Sequence, residues 1–290
     1  MNQRLTLLSV MAMAVAGLLT CLIPAPSEAQ LPRERAVQDR PIADVFWAPT
    51  NIGLSTVYNL SARNLNTSVT HTFGLVGGGI DRFFGMDDGA NTRLGVEYGL
   101  SDRLSAGIGR MTFHKVVDVR GKYNMLRQTS SGSMPVDLAV KASAGMTTLT
   151  GMEGDFSDRL TYFASVMIAR KMGGFSVQLS PMAAHFNTIT GLNKNTLYGL
   201  GILAAYELSS RVALSGEYLP VIGERNPGTA DALALALNID TGGHVFQVFL
   251  TSSQWHNEQY IMAGNTDRFW EGDFRLGFNI HRVFGLGGRR

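Results

Sequence analysis

The sequence contains a single cysteine, Cys21, and this residue lies in an apolar stretch near the N-terminus. Once that stretch is removed, the chain can form neither a disulfide nor a cysteine-ligated metal site. A chain without cysteine suits a protein that matures in an oxidising compartment. Neither sign of charge is in excess, because 25 Lys and Arg stand against 23 Asp and Glu. This balance does not indicate a nucleic-acid partner.

The first 29 residues have the pattern of an export signal rather than of a folded domain. Arg4 supplies a positive charge, residues 5–25 are mainly apolar, and small residues stand at positions 27 and 29. We therefore expect cleavage between Ala29 and Gln30. The alternatives are an uncleaved membrane anchor and a lipoprotein signal modified at Cys21. Prolines at 24 and 26 disfavour the anchor, and the threonine before the cysteine is a poor match to a lipoprotein signal.

Long hydrophobic runs are absent after the signal. The most apolar stretch, Leu197–Tyr206, is much shorter than the roughly 20 residues that a membrane helix needs. The chain instead shows alternation: from 274 to 281, apolar residues at even positions alternate with polar or small residues at odd positions. A period of two is typical of a half-buried strand. Behind an export signal, repeated strands of this kind predict an outer-membrane barrel, since open sheet edges cannot be satisfied in lipid.

The sequence predicts an all-β fold, an antiparallel up-and-down transmembrane β-barrel of about twelve strands. We divide the chain into a signal peptide (1–29), a periplasmic N-terminal segment (30–62) and a barrel domain (63–290). A possible short strand at 56–60 has no assigned place. The predicted barrel strands are 64–74, 90–100, 103–112, 115–126, 135–147, 158–171, 174–187, 196–208, 211–220, 231–239, 243–252 and 272–284.

The connections between these strands alternate in length. If the first strand leaves the periplasm, the periplasmic connections are mostly tight turns rich in Gly, Ser or Asp, and the outer ones are mostly long. This parity supports an even number of strands. We expect the apolar phase to face lipid, including Leu94, Val96, Leu138, Val140, Leu214, Leu235, Leu276 and Phe278. Tyrosines and a tryptophan near strand ends would then form interfacial girdles.

Several segments resemble an uncharacterised β-barrel family of Gram-negative bacteria, a domain of unknown function. They are LGVEYGLSDRLSAGIG at 94–109, residues 162–187, residues 244–251, and GDFRLGFNIHRVF at 272–284. The resemblance extends over most of the chain from about Asn64. It implies an outer-membrane barrel and no catalytic residues. The six residues after Phe284 depart from the usual barrel signal, in which an aromatic residue ends the chain.

The inward phase of the predicted strands carries charges of both signs. These lumen-facing candidates are Arg93, Glu97, Arg103, Asp118, Arg120, Lys122, Asp137, Lys141, Arg211, Glu217, Asp273 and Arg275. They fit a polar lumen that passes or binds a solute, or equally a paired network that fills a narrow barrel. We expect Asp118, Arg120, Lys122, Asp137 and Lys141 to share one side of the wall, with at least one cross-strand pair of opposite sign.

Other chemistry has weak support. His185 and Asn187 lie near an outer loop, where a membrane-embedded lipid hydrolase would have its site, but no serine nucleophile accompanies them. No histidine pair has the spacing or the carboxylate neighbours of a metal site, and no motif implies a cofactor. We therefore predict that the protein is not an enzyme.

The sequence favours a passive channel or porin-like protein for small polar solutes in the outer membrane of a Gram-negative bacterium. The alternatives are a non-conducting structural or assembly protein of the envelope and, less favoured, the lipid hydrolase. The expected partners are outer-membrane lipid, the barrel-insertion machinery and, for a channel, a small polar solute.

Overall fold

The structure is a computed structural model that describes residues 39–43, 45–149, 155–188 and 193–286. The signal peptide and its predicted cleavage site between Ala29 and Gln30 lie outside the described residues.

Antiparallel strands form one closed sheet. The strands are β1 (Asn64–Leu75), β2 (Asn91–Gly99), β3 (Leu104–Met111), β4 (Val116–Leu126), β5 (Asp137–Thr147), β6 (Leu160–Met172), β7 (Phe175–Phe186), β8 (Thr196–Ser209), β9 (Val212–Leu219), β10 (Val221–Ile222), β11 (Ala232–Asp240), β12 (His244–Thr251) and β13 (Arg275–Gly285). Each strand pairs with its neighbours, and β1 pairs with β13 to close the barrel. No edge is left open along the wall.

Strands β9 and β10 occupy one position in the wall. Pro220 separates them because proline has no backbone N–H for the ladder. Both nevertheless pair with β8, and the Pro220 carbonyl accepts from the Leu200 N–H at 3.1 Å. The barrel is therefore 12-stranded, as predicted. Every predicted strand is present, with ends shifted by no more than three residues.

The outer surface of the wall is apolar. The eight residues predicted to face lipid are all at least partly exposed. Leu94 is 57% exposed and Leu235 is 50% exposed. Exposed tyrosines lie near both ends of the strands: Tyr162, Tyr198 and Tyr218 at the long-loop end, and Tyr123 and Tyr206 at the tight-turn end. This distribution matches interfacial girdles around an apolar band. Among the described residues, no helix is long and apolar enough to cross a bilayer.

The interior is filled from the tight-turn end by residues 45–60, which we call the plug segment. The chain enters at a bridge between Pro41 and Thr129 and leaves where the Arg63 N–H donates to the Gly99 carbonyl. A bridge between Thr50 and Ser55 folds the segment back on itself. Both entry and exit therefore lie at the tight-turn end, which the sequence predicts to face the periplasm, and the tip at residues 51–54 points into the lumen.

The position of the plug segment differs from the sequence prediction, which put residues 30–62 in the periplasm. Apolar residues of the plug segment are almost fully buried inside the barrel. Phe46 and Val57 pack with Met167 and Leu203 of the wall, and Leu54 packs in a second cluster with Leu197. Burial of such side chains stabilises the packed position by about 1.5–3 kcal/mol each. Residues 30–38 lie outside the described residues.

A second segment fills the lumen from the opposite end. Residues 252–265, the inward loop, follow β12 and contain the short helix α1 (Glu258–Gly264). Trp255, Tyr260, Ile261 and Met262 are buried in the same cluster as Leu54 of the plug segment. The plug segment and the inward loop therefore meet inside the barrel and close it.

Candidate functional site

Nine of the twelve predicted lumen residues lie on the inner wall. They are Arg93, Glu97, Asp118, Arg120, Lys122, Asp137, Lys141, Glu217 and Arg275, and all are buried or nearly so. The prediction is wrong for Arg103, Arg211 and Asp273, which lie in connections just outside the strands. Arg103 and Arg211 are exposed, and the Arg103 guanidinium donates to the Met125 carbonyl. The alternation was extended past the strand ends, where the backbone no longer alternates.

Five of these charges form a network on the inner wall, in which the Lys122 ammonium lies 3.8 Å from Glu97. The Arg93 guanidinium contacts the Asp118 carboxylate at 2.5 Å. Arg120 lies 3.3 Å from Glu97 and 3.4 Å from the other oxygen of Asp118. The Ser105 hydroxyl donates to Glu97 at 2.7 Å. Each carboxylate is therefore paired with a guanidinium in a region where little solvent enters.

Glycines on β3 allow these pairs to form across an intervening strand. Arg93 is on β2 and Asp118 on β4, so the guanidinium must cross β3. At Gly109 a Cβ atom would lie 2.2 Å from the Arg93 Nη2 atom, and at Gly107 it would lie 3.2 Å from the Arg120 guanidinium. The inward positions of β3 at Gly107 and Gly109 are therefore without a side chain, because the arginine side chains occupy the space above them.

The prediction for the β4–β5 hairpin is confirmed in part. Asp118, Arg120, Lys122, Asp137 and Lys141 share the inner wall. The expected cross-strand pair of opposite sign is wrong: among the described residues no ion pair joins two strands within this set, and Lys122 lies opposite Lys141. The two lysines bond instead to segments inside the lumen, which alternation along the wall cannot reveal.

Lys122 and three uncharged wall residues hold the backbone of the plug segment. The Lys122 ammonium donates to the Thr56 carbonyl at 3.2 Å and also to the Tyr58 carbonyl. The further contacts are Gln178 with the Val57 N–H at 2.9 Å, Asn124 with the Val57 carbonyl at 2.8 Å, and Asn279 with the Asn51 carbonyl at 2.6 Å.

The tip of the plug segment surrounds a buried carboxylate. Glu217 accepts the backbone N–H groups of Ile52 at 3.2 Å, Gly53 at 2.6 Å and Leu54 at 3.3 Å. The Asn51 side-chain amide donates to the same carboxylate at 3.3 Å. A Cβ atom at Gly53 would lie 2.7 Å from Ile261 and 3.2 Å from Glu217, so glycine permits this close approach. Four donors thus replace water around Glu217.

The inward loop is fixed to the wall and to the plug segment through one carboxylate. Glu258 contacts the Lys141 ammonium with both oxygens, at 2.8 and 2.9 Å, and accepts the Ser55 N–H at 2.9 Å. Lys141 also donates to the Ser55 hydroxyl at 2.7 Å. Burial alone raises the pKa of Glu258, but the Lys141 charge and these hydrogen bonds outweigh it and hold the pKa below its usual value.

His256 fixes the start of the inward loop. Its Nε2 atom lies 2.6 Å from the Thr72 hydroxyl of β1. Burial, together with the nearby Arg93 charge, lowers the pKa of His256 to about 3, so the ring is neutral at neutral pH. Asn257 and Gln259 on the same loop are buried, and their side-chain amides have no hydrogen-bond partner among the described residues. The loop is therefore less completely satisfied than the plug segment.

Two open spaces remain, one on each side of this closure. The periplasmic vestibule has a volume of about 440 Å³ and is lined by residues including Trp47, Tyr58, Asn66 and His281. The outer vestibule has a volume of about 230 Å³ and is lined by residues including Trp255 and Tyr260 of the inward loop. A solute entering from either side meets the plug segment or the inward loop.

The histidine considered for hydrolysis lies apart from these spaces. His185 is exposed, and its Nδ1 atom lies 2.9 Å from the Thr196 hydroxyl, whereas the Asn187 amide donates to the Ser157 carbonyl. No serine hydroxyl is bonded to His185 among the contacts of the described residues. In that part of the chain, no three His, Cys, Asp or Glu side chains are grouped to hold a metal ion.

Several residues of the closure were not singled out from the sequence. Glu258 lies in an outer connection where no periodic pattern exists. Gln178, Asn124 and Asn279 lie on the inward phase of their strands, and only charged residues of that phase were selected. A polar amide at an inward position of an otherwise apolar strand, such as Gln178, is a signal that could have identified them.

Residues 46–284 match the family described as a membrane bound beta barrel domain (DUF5777). The chain belongs to this family. The resemblance inferred from the sequence is thereby confirmed, and the protein is a β-barrel of the Gram-negative outer membrane whose wall contacts lipid. No curated protein matches the sequence.

Solved structures of outer-membrane barrels are similar in fold. The NanC porin has 10% sequence identity and a TM-score of 0.49, with 77% of this chain and 100% of that chain covered. An outer membrane channel from Pseudomonas putida F1 has 13% identity and a TM-score of 0.46, with 78% and 97% covered. Outer membrane phospholipase A from Escherichia coli has 12% identity and a TM-score of 0.41, with 78% and 91% covered. At these identities and TM-scores, none carries a function over to this chain.

Proposed function

We propose that this protein is a gated outer-membrane channel for small polar solutes, closed in its resting state by the plug segment and the inward loop. The observation that carries the proposal is the kind of contact that closes the lumen. The plug tip is held by hydrogen bonds to Glu217, and the inward loop is held by the Lys141–Glu258 ion pair. Both elements are segments separate from the strand ladder, so they can move without breaking the barrel.

The sequence favoured a passive channel, and the closed lumen changes this to a gated one. A passive pore needs a continuous water-filled path, whereas the two vestibules are separated by buried side chains such as Leu54, Ile261 and Met262. The amides of Asn257 and Gln259 without partners favour movement of the inward loop, because each buried unpaired group costs about 1–3 kcal/mol.

A second candidate is a non-conducting structural barrel. The observation in its favour is the pairing of the wall charges with one another and with the plug segment. Lipid hydrolysis remains a weaker proposal, because His185 bonds to a threonine and lies on an exposed surface.

Conductance in planar bilayers tests the proposal. The purified wild-type protein should be mostly closed with rare openings. Glu217→Gln replaces one acceptor oxygen by an NH₂ group, which cannot accept from the backbone N–H groups of the plug tip. The fraction of time that the channel is open should therefore rise at least tenfold in this variant. Glu224→Gln is the matched control, because Glu224 is exposed in an outer connection and paired only with Lys194. Silence of both Glu217→Gln and Lys141→Met would favour the non-conducting barrel.

A further inference from the structure

The periplasmic vestibule contains polar groups that the fold itself does not use. His281 on β13 is only 4% exposed, and within the described part of the chain neither of its ring nitrogens has a hydrogen-bond partner. Asn66 on the neighbouring strand β1 is 2% exposed, and its side-chain oxygen also has no partner. Both residues line the vestibule. Buried polar groups are normally bonded, so two adjacent ones without partners indicate a place for a ligand.

The opposite side of the vestibule carries aromatic side chains from the plug segment. Trp47 and Tyr58 are both half-buried and line the same space. Large aromatic rings beside a few convergent polar groups are typical of small-molecule sites, and about 440 Å³ lies within the range of such sites. The site is thus built jointly by the wall and by the plug segment.

The one lysine among the described residues that line the vestibule already has an acidic partner. The Lys171 ammonium lies 2.6 Å from Glu207, and the Trp47 indole N–H donates to the same carboxylate at 3.3 Å. Asp240 accepts the Gly242 N–H within its own turn at 2.7 Å. No lysine or arginine of the described lining is therefore left to pair with an acidic solute, and the Asp240 carboxylate, which has no ion-pair partner among the described residues, would repel one. This favours an uncharged solute over an acidic one.

We propose that the periplasmic vestibule binds a neutral saccharide of one or two rings. A pyranose has hydroxyl groups at its edge, which can donate to and accept from His281 and Asn66. It also has a face of C–H groups that can pack against an aromatic ring such as Trp47. The inference rests on the proposed channel function, because it names the solute class that would occupy the periplasmic mouth.

The test is the binding of glucose and maltose to the purified full-length protein in detergent. Saturation-transfer NMR of the sugar measures this binding. Galacturonate and glucosamine serve as charged probes. His281→Leu and Asn66→Leu should each weaken maltose binding at least tenfold. Because both groups lack partners in the fold, the melting temperature should stay the same or rise in these variants. If His281 and Asn66 had a purely structural role, the two substitutions would leave maltose binding unchanged.

His185→Leu is the matched control, since this histidine is exposed near the opposite end of the barrel. If the two leucine variants fail to fold, Trp47→Leu should lose binding and Trp47→Phe should retain most of it. The proposal is overturned if neither neutral sugar binds in the millimolar range, if the charged sugars bind as tightly, or if binding survives these substitutions. Sugar binding without conductance contradicts only the channel, and conductance of Glu217→Gln without sugar binding contradicts only this site.

Discussion

Replacing Lys141 with methionine should release the inward loop. The ammonium contacts both oxygens of Glu258, at 2.8 and 2.9 Å, and the two side chains are 6% and 3% exposed. With methionine at position 141, the buried Glu258 carboxylate loses its counter-charge and keeps the hydrogen bond from the Ser55 N–H. Breaking a buried ion pair by removing one partner costs about 3–5 kcal/mol. We expect this cost to fall on the closed position of the loop, because Glu258 belongs to the loop and not to the strand ladder.

Hydrogen exchange of the α1 amides measures this effect. Each 1.4 kcal/mol corresponds to a factor of ten, so protection at Ile261 and Asn265 should fall roughly 10²- to 10³-fold or more. These amides donate to Asn257 and Ile261 within the loop at 3.0 and 3.1 Å. Amides in the centre of β5 should keep their protection. The double variant Lys141→Met/Glu258→Leu should recover part of the loss, since no charge is then left unpaired.

Lys194→Met is the control for this prediction. Lys194 pairs with Glu224 at 3.2 Å, but the two side chains are 43% and 73% exposed. Such surface pairs are worth at most about 1 kcal/mol, so α1 should be unaffected. Protection of α1 in Lys141→Met within twofold of wild type would refute the view that this ion pair holds the loop.

Three further predictions concern the wall, the plug segment and pH. Gly109→Ala should lower stability to denaturant by about 1–3 kcal/mol, because the new Cβ displaces the Arg93 guanidinium, whereas Gly243→Ala should cause no loss. Lys122→Met should make the plug segment more accessible to protease from the periplasmic end, because two carbonyls lose their donor; unchanged cleavage would contradict this. Acid should loosen the inward loop. An exposed histidine titrates near 6.5, but the pKa of buried His256 is about 3, so the unfolded loop binds the proton first. The free energy of opening of α1, calculated from exchange rates corrected for the intrinsic effect of pH, should be constant above about pH 7. It should fall towards pH 3 by up to about 1.4 kcal/mol per pH unit. Flat protection across that range would show that His256 does not stay buried and neutral.

The strands of the barrel wall could be predicted from the amino-acid sequence. Strand positions follow from a two-residue period and from turn chemistry, which are local properties of the chain. A shift of one residue would move charges such as Asp118 and Lys122 into lipid, so the register of the β4 hairpin was also fixed by sequence. The same reasoning placed Arg103 and Arg211 wrongly, because they lie past the strand ends, where the backbone is no longer pleated. It also predicted a pair of opposite sign in the β4–β5 hairpin, where Lys122 in fact lies opposite Lys141.

The segments that fill the lumen could not be predicted from the sequence. The plug segment has no periodic pattern, and its partners Gln178, Glu217 and Glu258 are more than a hundred residues away in sequence. Lys141 could be placed on the inner wall, but its partner Glu258 lies 117 residues further on, in a connection without strand periodicity. Contacts between an irregular segment and a wall depend on how the chain fills a closed space. The alternation of single strands therefore specifies the barrel, whereas the three-dimensional packing of its interior specifies whether the barrel is open or closed.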